Sequence, residues 1–174
     1  LAHIAAHHCW SKPIIADNLS PFQRIAVETF EDSRVEYLAM QIYPGLRHIL
    51  LALHPKPIED DCISDKESCI RHRLTMLSYA ILNTNHDYKN KDIIEFSEKF
   101  HDIMQEEIKL GQMSSTYDIS KLGTSFIART RRQEDQLPNV YFKDTEVEYR
   151  DDNRNLWTFI EMGDEEEMFD KHEM

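Results

Sequence analysis

The chain has 174 residues, of which 41% are apolar and 10% aromatic, enough for one packed core. Its four glycines are too few for a turn-rich sandwich or barrel. A formal net charge of −12, with no segment that concentrates lysine and arginine, argues against a nucleic-acid partner. No apolar run approaches the roughly 18 residues that a bilayer span requires, so no membrane span is expected. Cys9, Cys62 and Cys69 are odd in number and irregularly spaced, which fits reduced thiols better than a disulfide framework. With no signal-peptide pattern at its start, the chain is expected to be cytoplasmic.

Leu1 to Trp10 reads as the end of a helix, halted by Ser11-Lys12-Pro13 because proline disfavours helix at the residue before it. Opening in mid-helix without a methionine, the chain is expected to be a piece of a longer polypeptide. A loop to Leu19 leads into Ser20-Pro21-Phe22-Gln23, a start signal with an N-cap serine, a proline in the first turn and a glutamine to close a capping box. The spacing predicts a helix from Pro21 to about Tyr43, ended by Pro44-Gly45, and then a short apolar helix from Leu46 to Leu53, stopped by His54-Pro55.

Ser64 and Glu67 form a second capping-box pattern ahead of the stripe Ile70, Leu74, Leu77 and Ile81. Ile93, Phe96, Phe100 and Ile103 mark a further amphipathic helix, with Gly111 placed to end it near Leu110. Ser115-x-x-Asp118 opens a helix carrying Ile119, Leu122 and Phe126. Residues 140–149 read either as a short β-hairpin or as an extended loop, and Asn155 to Met162 as a short helix anchored by Leu156, Trp157 and Ile160. Residues 161–174 hold seven acidic side chains against one lysine, an acidic tail or linker. The expectation is a mostly α fold: one helical domain of about five to seven helices over residues 1–160, followed by that tail.

His3 and His7, four apart on a helix, face the same way, and the long helix that follows carries Glu28, Glu31, Asp32 and Glu36 in an otherwise apolar segment. Glu28 and Asp32 share a stripe with Ile25, Val35 and Ala39, so both are expected to point inward. A lone buried carboxylate costs several kcal/mol unless it is paired, hydrogen-bonded or bound to a cation. Two accounts follow. The imidazoles either hydrogen-bond these carboxylates in a polar network, or His3, His7, Glu28, Glu31 and Asp32 supply ligands to a divalent metal, zinc or iron, held between the helices. The His-x-x-x-His spacing matches that of zinc peptidases, but their general base directly after the first histidine is replaced by Ile4, which argues against proteolysis. His8 projects at another angle and is expected to be exposed.

Weaker signals have plainer readings. Cys69-x-x-His72 lacks a second ligand pair and reads as a core cysteine with a surface histidine. Arg129, Arg131 and Arg132 could dock an acidic group but read more simply as a solvated helix end. Hydrolase, nucleoside-triphosphatase and dinucleotide fingerprints do not occur.

The stretches His3-Ile4-Ala5-Ala6-His7, Ala16-Asp17-Asn18-Leu19-Ser20-Pro21-Phe22-Gln23-Arg24, Phe30-Glu31-Asp32-Ser33-Arg34-Val35-Glu36 and Tyr43-Pro44-Gly45-Leu46 resemble the middle region of the NorD/CbbO family. So do Ala128-Arg129-Thr130-Arg131-Arg132-Gln133 and Tyr149-Arg150-Asp151-Asp152-Asn153-Arg154. The resemblance implies a non-enzymatic, chaperone-like adaptor for a MoxR-type AAA+ ATPase. Its client would be Rubisco, whose activation involves release of inhibitory sugar phosphates, or, in the NorD branch, a maturing nitric oxide reductase. Family members end in a von Willebrand factor A domain with an Asp-x-Ser-x-Ser motif. The nearest match here, Asp118-Ile119-Ser120-Lys121-Leu122, lacks the second serine, so the resemblance covers the region before that domain.

Overall fold

A computed structural model describes residues 2–16, 18–63, 66–111, 116–138, 147–150, 153 and 156–158. Six helices occur among them: α1 (Ala2–Trp10), α2 (Pro21–Ile42), α3 (Leu46–Leu53), α4 (Cys69–Leu82), α5 (Lys91–Lys109) and α6 (Thr116–Thr130). Two short strands, β1 (Ile14–Ile15) and β2 (Trp157–Thr158), pair in parallel, Ile14 beside Trp157 and Ile15 beside Thr158. The mostly α expectation holds, and no described helix is long and apolar enough to cross a membrane.

Helix α2 starts as its sequence dictates. Gln23 N–H donates to the Ser20 hydroxyl and Ser20 N–H to Gln23 Oε1, so the capping box satisfies two otherwise unpaired backbone donors, with Pro21 where no donor is needed. Asn90 starts α5 in a related way, its Oδ1 accepting from Asp92 and Ile93 N–H. Gly111, at φ +68°, follows the end of α5 in the left-handed conformation that glycine adopts without steric cost.

Helix α2 runs through the centre, with every residue from Glu31 to Met40 buried. Helices α4, α5 and α6 close over one side of it. Phe30 meets Phe126 edge-on at 6.1 Å and Phe100 at 6.4 Å, and Phe96 meets Phe126 at 5.1 Å and 88°. The closest approach is at Gly123, where a β-carbon would lie 3.0 Å from the backbone of Val27. A second polar tie joins α4 to the end of α6: Arg73 is bidentate on Asp135, at 2.6 and 3.0 Å, and also donates to Thr130 O.

Four expectations need correction. Helix α4 is capped by Ser68 rather than Ser64 and begins at Cys69; Glu67 turns back to accept from Ile63 N–H, because the loop bends before the helix begins. That bend brings the Cα atoms of Cys62 and Cys69 to 5.8 Å, and the two cysteines form a disulfide, leaving Cys9 as the exposed free thiol. The pairing removes the argument for a reducing compartment that three free thiols had supplied. His72 is buried, not on the surface, because α4 is covered all round. Trp157 and Thr158 are strand rather than helix, since backbone pairing with β1 suits an aromatic and a β-branched residue; the hairpin alternative near 140–149 lies mostly outside the described residues.

At Gly123, helix propensity alone would make alanine stabilising by about 1 kcal/mol. The backbone contact reverses that sign, so Gly123→Ala is expected to lower stability by about 1–3 kcal/mol in urea unfolding.

Candidate functional site

On the side of α2 away from the aromatic core, Asp32 and Glu36 share a face one turn apart, and α1 packs antiparallel against it. His3 therefore reaches both carboxylates: its Nδ1 lies 2.9 Å from Glu36 Oε2 and its Nε2 3.2 Å from Asp32 Oδ1. His7, one turn on, places Nε2 2.8 Å from the same Asp32 oxygen and 3.1 Å from His3 Nε2, with the two rings nearly perpendicular. Its Nδ1 meets the Ser11 hydroxyl at 2.7 Å, and that hydroxyl donates to Glu31 Oε2 at 2.5 Å.

Glu31 faces a neighbouring sector and is neutralised separately. Arg34 Nε and Nη2 donate to its two oxygens at 2.7 and 3.0 Å, Thr116 donates at 2.9 Å, and Arg34 also reaches the backbone carbonyl of Trp10. The far end of the chain completes the site. Arg150 Nε and Nη2 donate to Glu36 at 2.7 and 3.0 Å, Tyr149 donates to Glu36 Oε1, and Asn153 Nδ2 lies 3.0 and 3.1 Å from the two Asp32 oxygens. Asn153 has φ +56°, a left-handed conformation that asparagine tolerates better than most residues.

Three buried carboxylates thus face two buried guanidiniums, and one positive charge is still required. Burial opposes charge on His3, but hydrogen bonds and charge from Asp32 and Glu36 outweigh it and raise its pKa to about 9. Burial likewise disfavours the ionised forms of Asp32 and Glu36. His3 and His7 with Arg150 hold Asp32 below the usual carboxylate range, and Arg150 and His3 do the same for Glu36. Burial and the nearby Arg150 charge push His54 the other way, down to about 4.

Of the five residues expected to hold metal, His3, His7 and Asp32 come together, their ligand atoms within 4.8 Å of one another. Glu31 stands one shell back, reaching His7 through Ser11. Glu28 is half-buried and turned away, accepting from Trp157 Nε1 at 2.6 Å beside a cavity of about 450 Å³ that Arg24 and Arg71 also line. His8 is exposed, as its angle on the helix required. Sequence reasoning left out Arg150, Asn153, Tyr149, Ser11 and Thr116 as parts of the site; only the resemblance around residues 149–154 marked three of them, Tyr149, Arg150 and Asn153. Arg129 pairs with Asp92 and Glu95, and the Arg131 guanidinium lies 4.0 Å above the Phe22 ring, while Arg132 is exposed at the helix end.

Removing one member of a buried charge pair leaves the other uncompensated, so Asp32→Ala is expected to cost about 3 kcal/mol or more in denaturant unfolding. Glu28 yields a pH signature. Burial, together with the Asp32 charge and against the Trp157 hydrogen bond, raises its pKa to about 7 from an unfolded value near 4.5. The folded state then binds the extra proton, so this group's contribution to stability falls as pH rises from 4.5 to 7. Glu28→Gln keeps an acceptor for Trp157 and removes that slope. Its melting temperature should therefore gain on the parent across that window, and a constant difference would contradict the shift.

Comparison of the chain with protein-family models, curated proteins and solved structures returns no match.

Proposed function

We propose that this chain is a non-enzymatic adaptor domain of a CbbO-like protein that works with a MoxR-type AAA+ ATPase in Rubisco activation. The observation that carries the reading is the convergence of stretches that resemble the NorD/CbbO family. His3 and His7, the segment Glu31 to Glu36, and Tyr149, Arg150 and Asn153 are far apart in sequence yet form one buried polar network. Residues so placed act on one another and fix how α1, α2 and the distal segment dock, which is a scaffold's task. Two further features favour binding over catalysis. Ile4 stands where a zinc peptidase carries its general base, and Glu31 and Glu36 are engaged by Arg34 and Arg150 rather than free to move protons. Ile49 and Leu53, one turn apart on α3, leave an exposed apolar face of the kind that protein partners cover.

The test is co-purification of the chain with a MoxR-type ATPase and, separately, with Rubisco. Retention of either above a control chain is expected. Capture of nitric oxide reductase in place of Rubisco would move the assignment to the NorD-like branch, and binding to none of the three would remove the adaptor reading.

A further inference from the structure

We propose that His3 Nε2, His7 Nε2 and Asp32 Oδ1 form a three-ligand face for one divalent transition metal of the zinc–iron class, with Glu36 and the Ser11–Glu31 pair orienting the two imidazoles. The inference goes beyond the adaptor reading and stands or falls separately from it.

Ser11 has one hydroxyl hydrogen and gives it to Glu31, so its oxygen can only accept from His7 Nδ1. His3 Nδ1 lies 2.9 Å from Glu36 Oε2, an ion-pair distance without the alignment of a hydrogen bond. Each imidazole thereby sets its Nδ1 beside a carboxylate, His7 through the Ser11 hydroxyl and His3 at ion-pair distance from Glu36. This is the outer arrangement that fixes the tautomer of metal-binding histidines and raises their basicity. In the neutral form that an entering ion would bind in exchange for the proton on His3, both Nε2 atoms carry lone pairs, and both converge with an anionic oxygen.

The three atoms lie 2.8, 3.1 and 3.2 Å apart. Ligands about 2.0–2.1 Å from a common ion sit about 2.9 Å apart at right angles and about 3.3 Å apart at the tetrahedral angle, so the triangle has the dimensions of one coordination face. A single proton serves the same atoms poorly, because it can lie between only one pair of three acceptors. Two protons would set two cationic N–H groups head to head at 3.1 Å. One divalent ion satisfies all three at once. Two imidazoles and a carboxylate are a donor set suited to zinc or ferrous iron rather than to calcium or magnesium. A cavity of about 230 Å³ lined by His7, Ser11 and Asn153 gives a route for the ion and room for water at its remaining positions.

The test uses the intact chain, stripped with chelator and titrated calorimetrically with Zn²⁺ and, without air, with Fe²⁺. One equivalent of at least one metal should bind, and the melting temperature should rise with it. His7→Ala should abolish both effects. Glu36→Gln should weaken binding roughly 10–100-fold, as losses of second-layer partners do, while Glu28→Gln should leave it unchanged. X-ray absorption of the loaded chain should show nitrogen and oxygen neighbours with imidazole scattering. If His7→Ala fails to fold by circular dichroism, Glu36→Gln and the absorption spectrum decide. No stoichiometric uptake of either metal, undiminished uptake by Glu36→Gln, or sulfur in the coordination shell would overturn the proposal and leave a hydrogen-bonded network alone.

Discussion

Everything in this fold is arranged around the cost of burying Glu31, Asp32 and Glu36 within one helix. An ionised carboxylate in such a place must be met by a positive charge or by several donors, and no single neighbouring element supplies enough. Compensation comes from α1 through the imidazoles, from within α2 and from α6 through Arg34 and Thr116, and from beyond residue 146 through Tyr149, Arg150 and Asn153. The docking of α1 and of the distal segment is therefore specified by charge in addition to the apolar contact of Ala6 and Trp10 with Val35 and Ala39.

The opposite side of α2 follows a different rule. There Phe30 and Tyr37 pack with Phe96, Phe100 and Phe126 in edge-on and tilted contacts, and Gly123 lets α6 approach α2 until a β-carbon there would meet the Val27 backbone. One helix thus separates two kinds of cohesion, non-directional burial on one side and directional polar contacts on the other. The polar side is held by atom-to-atom geometry, which is what a ligand-binding or partner-orienting site needs.

The helices were legible because their local signals agree with the fold. The capping box at Ser20, the stop at Pro44 and the spacing of Ile93, Phe96 and Phe100 act over one or two turns. The candidate site was half legible. Helical spacing placed His3 and His7 on one face and Asp32 opposite them, with Arg34 one turn from Glu31 and within its reach, but it could not tell that Glu28 would be claimed by Trp157, since that outcome depends on a segment that packs from elsewhere. The same holds for the Cys62–Cys69 bond, which depends on a bend carrying no glycine, and for Trp157, whose strand exists only because β1 lies beside it. Ser68 took the cap from Ser64 for a local reason that propensity does not weigh, the turn that precedes it.

The parallel strand pair has a consequence for the order of assembly. Asp32 meets His7 across 25 positions but meets Asn153 across 121, and Glu28 meets Trp157 across 129. Each doubling of loop length adds only about 0.6 kcal/mol of closure entropy, so the longer reach is affordable once the helices have condensed, yet a two-residue ladder gives little reward before then. The contacts of Arg150, Asn153 and Trp157 with α2 are thus long-range ones, whose closure is rewarded only where α2 already presents Glu36, Asp32 and Glu28.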